Sequence, residues 1–295
     1  MIYTVTFNPA IDYVMHTGAL ESGKTNRSER EEIYFGGKGI NVSYVLSQLG
    51  MPTTALGFAA GFLGDALVDA VNSWGINADF IRLPHGNTRI NVKLKGSAET
   101  EINAEGPQID SASLCALYER LDTIREGDTL VLAGSVPSSL PRDIYESILK
   151  RLSHRGVRFV VDATGSLLVN TLQYKPFLIK PNIDELCEIL NTKAQTEDEI
   201  IAAARKLQEM GAQHVLVSLG ADGALLLAKS GAVYRKAACV GKAVNTVGCG
   251  DSMLAGFLCG IEKGEEYALS LGNAAGGATA FKPWLANKED ILKLM

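Results

Sequence analysis

The run Asn245-Thr246-Val247-Gly248-Cys249-Gly250-Asp251-Ser252 leads directly into the apolar stretch Met253-Leu254-Ala255-Gly256-Phe257. Glycines placed before a helix leave its first backbone N–H groups free and let an anion approach them closely. Such a turn can hold a phosphoryl group as charge spreads over its oxygens, through the amides of Gly248, Cys249 and Gly250. A carboxylate at its mouth, Asp251, can accept a proton from an attacking hydroxyl. Asp is equally an ordinary residue of a helix's first turn, where the helix field holds its pKa down. On that basis Asp251 is expected to be a weak base, adequate where proton transfer accompanies phosphoryl transfer.

Three further segments carry polar groups on glycine turns or strand ends. Gly36-Gly37-Lys38-Gly39-Ile40-Asn41 opens another helix and fits neither G-x-x-x-x-G-K-[ST] nor G-x-G-x-x-G, so the P-loop and dinucleotide fingerprints are both absent. Its glycines would admit a polyol, with Lys38 and Asn41 as donors; a helix start with an incidental lysine reads the same way. Ser218-Leu219-Gly220-Ala221-Asp222-Gly223 follows an apolar strand. That is where open parallel sheets bind ligands, and also where any strand turns. Lys180-Pro181-Asn182 and Glu185 add a cation, an amide and a carboxylate after another strand.

The elements that must position these groups alternate along the chain. Strands are expected at Ile2 to Phe7, Thr53 to Phe58, Thr129 to Ala133, Arg158 to Val161, Phe177 to Ile179 and His214 to Ser218. Helices are expected at Lys38 to Leu49, Asp65 to Trp74, Ser111 to Thr123, Arg142 to Leu152, Glu197 to Met210 and Asp251 to Glu262. This rhythm implies an α/β fold, a mainly parallel sheet covered by helices on both faces. Residues 12–35 and 88–105 lack a helical period and read as extended. Arg89 to Lys95 and Thr100 to Asn103 form a hairpin with one polar face, either a solvated edge or a small second sheet closing over the main one.

The 295 residues suggest two domains by length alone, although one α/β domain also reaches this size. Lys and Arg number 28 against 33 Asp and Glu, a net charge of −5, and there is no basic block. Nucleic acid and anionic membranes are therefore not the expected partners. No apolar run approaches a membrane span, and Met1-Ile2-Tyr3-Thr4-Val5 lacks the features of a signal peptide, so a cytoplasmic protein is expected. The five cysteines include no C-x-x-C pair and read as reduced thiols. The four histidines have no helical ligand spacing, and a structural metal site is not expected.

Taken in order, these segments resemble the PfkB-type carbohydrate kinases of the ribokinase-like superfamily. The likeness rests on Thr6-x-Asn8-Pro9-Ala10-x-Asp12, the Gly36-to-Asn41 turn and Thr88-Arg89-Ile90-Asn91-Val92-Lys93. It continues through Ala133-Gly134-Ser135-Val136-Pro137, Lys180-Pro181-Asn182 and the Asn245-to-Ser252 run, and it covers essentially the whole chain. The resemblance implies one kinase domain over residues 1–295, a three-layer αβα sandwich with a small β-sheet lid from about 12–35 and 88–105. It implies ATP and Mg²⁺, a sugar phosphate substrate, and a homodimer formed through the lid. Asp251 would be the base, and Asp12, Gly36, Gly37 and Asn41 would face the sugar. Lys38 and Arg89 would hold its phosphate, with Asn103 and Ser135 nearby. Lys180, Asn182, Ser218, Gly220, Ala221, Gly223, Gly250 and Asn273 would serve the nucleotide, and Glu185 would organise Mg²⁺ through water.

Within the family the sequence is most similar to enzymes that phosphorylate fructose 1-phosphate at C6, and next to those acting on tagatose 6-phosphate at C1. A non-catalytic sugar-phosphate sensor is the alternative from another class. Cys249 departs from the family's usual Ala or Ser, with an intact anion hole and added sensitivity to thiol reagents as the expectation.

Overall fold

The computed structural model describes residues 1–295. Its strands are β1 (Ile2–Thr6), β2 (Ala10–His16), β3 (Arg30–Gly36), β4 (Thr53–Ala60), β5 (Asn77–Leu83), β6 (Arg89–Lys95), β7 (Glu99–Asn103), β8 (Thr129–Ala133), β9 (Arg158–Asp162), β10 (Leu178–Ile179), β11 (His214–Ser218), β12 (Ala224–Leu227) and β13 (Val233–Lys236). Its helices are α1 (Lys38–Gln48), α2 (Gly61–Ser73), α3 (Ser111–Leu121), α4 (Ile144–Leu152), α5 (Gly165–Val169), α6 (Ile183–Leu190), α7 (Glu197–Glu209), α8 (Cys249–Gly260), α9 (Glu265–Ala280) and α10 (Lys288–Leu292).

The large sheet runs β13-β12-β11-β10-β9-β8-β1-β4-β5, with every strand parallel except β12, which is antiparallel to both β11 and the edge strand β13. Its central strands are apolar on both faces, as burial between two helical layers requires. On β8, Leu130 and Leu132 face a core with Leu117, Leu121 and Ile148, whereas Val131 and Ala133 face another with Val42, Val45 and Leu254. The side-chain period of two thus assigns each strand's residues to two separate cores.

The small sheet runs β3-β2-β6-β7, with β2 parallel to β6 and the outer pairs antiparallel. Of the two readings of the 89–103 hairpin, the second sheet is the one found. One face carries Asp12, His16, Arg30, Glu32, Lys93 and Glu101, and these line cavities between this sheet and the body. The alternate positions carry Tyr13, Met15, Ile33, Val92 and Ile102. No helix is long and apolar enough to cross a membrane.

The expected strands at Thr129–Ala133 and His214–Ser218 agree to the residue with β8 and β11. Other boundaries differ: α2 starts at Gly61 rather than Asp65, α4 at Ile144 rather than Arg142, and α8 at Cys249 rather than Asp251. Strands β5, β12 and β13 and helices α5, α6, α9 and α10 were not anticipated. The largest of these, α9, is rich in Ala and Gly and buried around much of its girth, so no single apolar stripe marks it.

Helices α8 and α9 pack at unusually close range. A Cβ on Gly256 would stand 2.6 Å from Leu271 O, and one on Gly272 would stand 2.7 Å from Met253 O. Because the obstruction is backbone, it cannot rotate away. Gly256→Ala is therefore expected to destabilise the protein by about 1–3 kcal/mol despite alanine's better helix propensity. Urea unfolding should show the lower midpoint at unchanged slope.

Candidate active site

The ends of β1, β8, β9 and β10, the start of α1 and the start of α8 surround a cleft of about 1070 Å³. Thr6, Asp12, Lys38, Asn41, Arg89, Asn103, Ser135, Lys180, Asn182, Glu185, Ser218, Gly250 and Asp251 all line it. A contiguous cavity of about 490 Å³ lies under the small sheet and shares Asp12, Asn41, Lys93, Glu101 and Val247 with the cleft, adding Gly36. Residues from seven separate segments thus converge at the carboxyl edge of the parallel sheet, where such folds bind ligands.

The start of α8 depends on Gly248, which caps the helix in the left-handed region at φ 80°. A Cβ there would also meet Leu285 at 2.5 Å. The Cys249 amide turns back to Thr246 O at 3.4 Å, while the amides of Gly248, Gly250 and Asp251 make no backbone hydrogen bond. The free donors are therefore those of Gly248, Gly250 and Asp251, with Asp251 taking the place expected for Cys249. Lys180 Nζ stands 3.0 Å from where a Gly250 Cβ would be, so an ammonium group adjoins this turn.

Asp251 is buried in the first turn of α8, and its Oδ2 accepts a hydrogen bond from Asn41 Nδ2 at 2.8 Å. Oδ1 accepts none from the protein. Burial pushes the carboxyl up to about 6, helped by the negative charge of Asp162 and opposed by Lys38, the Asn41 bond and Lys180. This reverses the direction expected from the helix field alone: removal from water and a second carboxylate outweigh the dipole. The lowered proton affinity expected from sequence is thus corrected to a raised one.

That second carboxylate was missed. Asp162 ends β9, is 1% exposed, and its Oδ1 lies 3.4 Å from both Lys38 Nζ and Lys180 Nζ. Its Oδ2 is buried with no hydrogen-bond partner. The available signal was a lone acidic residue closing the apolar strand Arg158-Phe159-Val160-Val161. Burial lowers the Lys38 pKa, but Asp162, Asp251 and Glu185 together leave it above its ordinary value.

On the other side, Asp12 Oδ1 accepts from Asn91 Nδ2 at 3.0 Å. Arg89 Nε and Nη1 donate to Asn8 O and Ala104 O, each at 3.2 Å. Burial lowers its pKa, opposed by Asp12. These bonds tether Arg89 at the cleft wall and leave donors over.

Asn182 and Glu185 form a reciprocal capping box: Glu185 N donates to Asn182 Oδ1 at 2.8 Å, and Asn182 N donates to Glu185 Oε2 at 3.0 Å. Glu185 Oε1 takes no hydrogen bond. Gly220 and Ala221 lie in a 3₁₀ turn, with Gly223 at its end, and Asn273 donates to Ala237 O at 2.9 Å. All four lie away from the residues lining the cleft. Cys249 does not behave as an activated thiol, since burial and Asp251 push it up to about 11. The expected sensitivity to thiol reagents is not supported.

The family profile described as pfkB family carbohydrate kinase matches residues 5–290, and the chain belongs to this family. It is 44% identical to a 1-phosphofructokinase of Bacillus subtilis over all of its length and 97% of that protein's. It is 37% identical to a D-tagatose-1-phosphate kinase of Bacillus licheniformis, covering all of this chain and 96% of that one. The crystal structure of phosphofructokinase-2 from Escherichia coli in complex with substrates and products superimposes with a TM-score of 0.93 at 27% identity, covering 99% and 97% of the two chains.

The raised Asp251 pKa has a thermodynamic consequence. Its folded value of about 6 lies above the ordinary 3.8, so the folded state disfavours the ionised form. The destabilisation is absent below pH 3.8, grows between 3.8 and 6, and is complete above. Asp251→Asn should therefore be more stable than the wild type at pH 8 by about 1–3 kcal/mol. Urea midpoints should show this advantage shrinking as pH falls from 6 toward 4.

Proposed function

We propose that the protein transfers the γ-phosphoryl group of ATP to the C6 hydroxyl of fructose 1-phosphate, giving fructose 1,6-bisphosphate and ADP. The observation that carries this reading is the pairing of a buried, Asn41-held carboxylate with unoccupied helix amides and two ammonium groups in one cleft. Phosphoryl transfer needs positioning and charge stabilisation more than covalent chemistry, and this cleft supplies both. Asp251 Oδ1 takes the hydroxyl proton while Asn41 fixes Oδ2. The amides of Gly248, Gly250 and Asp251 face the charge developing on the transferring group. Lys180 neutralises the nucleotide phosphates from its place beside Gly250. Lys38 and Arg89 hold the phosphate already on the sugar, and Asp12, Asn91 and Asn103 meet its hydroxyls. Ser218, Gly220, Ala221, Gly223 and Asn273 serve the nucleotide's far end.

Magnesium fits this site as a guest of the nucleotide. The free Oε1 of Glu185 and no cluster of three ligating side chains suit an ion held chiefly by phosphates and water. When bound it would neutralise phosphate charge. A homodimer would cover the apolar positions of the small sheet, where Ile33 and Ile102 are 53% and 59% exposed. An ATP substrate and five free thiols suit a reducing cytoplasm.

The rival substrate shifts with the comparisons. The sequence pointed to tagatose 6-phosphate, phosphorylated at C1, whereas the relative above is named for tagatose 1-phosphate. That sugar carries its phosphate at the same end as fructose 1-phosphate. A sensor without turnover is disfavoured by the complete base and anion pocket.

The test is ADP release with ATP and Mg²⁺ on fructose 1-phosphate, tagatose 1-phosphate, tagatose 6-phosphate and fructose 6-phosphate. Fructose 1-phosphate should lead in kcat/KM by about tenfold or more, equivalent to about 1.4 kcal/mol in the transition state. Asp251→Asn should lose about 10²–10⁴-fold in kcat while retaining both substrates. A lead for another sugar would overturn the substrate assignment; near-native turnover in the variant would overturn the base. Arg89→Ala should raise KM for the sugar phosphate by about tenfold with little change for ATP, and equal effects on both would contradict its placement.

A further inference from the structure

Two ammonium groups from opposite halves of the cleft meet on one carboxylate oxygen. Lys38 comes from the first turn of α1, on the sugar side, and Lys180 follows β10, on the nucleotide side. Each lies 3.4 Å from Asp162 Oδ1. Lys180 and Asp162 are almost fully buried, while the Lys38 side chain is 40% exposed. The Asp162 Oδ2 atom is buried without a partner, which costs stability, so its retention calls for a functional reason. We propose that Asp162 is a positioning residue for phosphoryl transfer: it holds Lys38 and Lys180 between the two substrates and places a fixed negative charge against the proton acceptor Asp251.

The physical case follows from what the corner would be without it. Two ammonium groups with only Asp251 nearby would draw toward that carboxylate, pair with it and hold its proton affinity down. Asp162 gives both lysines another anchor and supplies a counter-charge, so Asp251 remains available to the acceptor hydroxyl. The groups facing Asp251 are Asp162 from β9, Lys38 and Asn41 from α1, Lys180 from the segment after β10, and Cys249 from its own helix. Glu185 on α6 acts on Lys38. Of these, Asp162 is the carboxylate acting on Asp251, and the lysines oppose it.

The inference rests on the kinase reading, so its test includes a readout that needs no turnover. The pH dependence of the urea-midpoint difference between the wild type and Asp251→Asn reports Asp251 ionisation directly. The difference levels off at the folded-state ionisation midpoint of Asp251, which in the wild-type background is expected near pH 6. In an Asp162→Asn background that midpoint should fall by at least about half a pH unit, and in a Lys180→Met background it should rise by a similar amount. Opposite signs distinguish a charge effect from general loosening of the site. In the ADP assay, Asp162→Asn should lower kcat about tenfold or more while KM for ATP and sugar phosphate stays within about twofold, because both lysines can still reach phosphates. An ionisation midpoint unmoved in both backgrounds overturns the proposal, even if activity falls. So does an Asp162→Asn enzyme whose kcat is restored by excess Mg²⁺, which would make Asp162 a metal ligand. Silence of the wild type on every sugar would overturn the kinase reading and leave the stability result to decide the role of Asp162.

Discussion

Two carboxylates and two ammonium groups share the corner where β9, β10, α1 and α8 meet, and the rest of the structure makes that arrangement tolerable. Asp251 and Asp162 are both largely removed from water, 5% and 1% exposed, in the wall of the cleft at the carboxyl edge of the sheet. Buried like charges are unfavourable unless opposite charges sit among them. Lys180 is packed into the same region at 5% exposure, while Lys38 reaches in from the surface. The four charges sum to zero, yet each carboxylate retains an oxygen without a protein hydrogen bond. Such a set is balanced without being saturated, which is what a site must be if it is to receive phosphates and release a proton.

The scaffold's unusual features cluster around this corner. Helix α8 carries Asp251 into the cleft and is locked to α9 by glycine contacts that allow backbone to touch backbone. Its first turn is backed by Leu285, next to Trp284, whose ring stacks on Tyr34 of the small sheet at 5.8 Å and lies 4.5 Å from Tyr44 of α1. The anion turn, the sugar-side helix and the small sheet therefore meet at one aromatic cluster. On the sheet's cleft-facing side the charges pair among themselves, Lys93 with Glu101 and Arg30 with Glu32, so this face presents little net field to an anionic substrate. Attraction is left to Lys38, Lys180 and Arg89.

Much of this was legible because the chemistry rides on local patterns. Helix starts preceded by glycine, strands of period two and the polar hairpin each have a short-range cause; α1, α8 and β8 were found from them, while the hairpin's pattern left a solvated edge and a second sheet equally open. Asp162 was not, because its importance is created by lysines from two segments 124 and 18 residues away. The same limitation explains the wrong direction for Asp251: the helix field is local and readable, whereas burial and a neighbouring carboxylate arise only on folding. Asn182 and Glu185 show the converse case. The family resemblance implied an ion-organising role for Glu185, whereas what the fold displays is a capping box with Asn182, which their spacing of three itself encodes. Helix α9 escaped because burial on several sides erases the amphipathic stripe by which helices are recognised.

Under the proposed function, the choice between fructose and tagatose follows from the same geometry. The two 1-phosphates are epimers at C4 and carry phosphate and acceptor hydroxyl at the same ends. If, as proposed, Lys38, Arg89, the anion turn and Asp251 address those ends, they do not separate the two sugars. Under that proposal discrimination falls to side chains facing the middle of the sugar, and Asp12 with Asn91 in the cleft wall is the pair we propose for it. Asn91 Nδ2 already donates to Asp12 Oδ1, while Asn91 Oδ1 is buried without a partner. An acceptor left unpaired in a buried position favours a ligand that brings a hydroxyl to it and disfavours one that does not. The epimer whose C4 hydroxyl reaches that oxygen gains a hydrogen bond and relieves a desolvated group at once. That double effect gives a neutral amide more leverage over sugar identity than the charged residues that hold the phosphate.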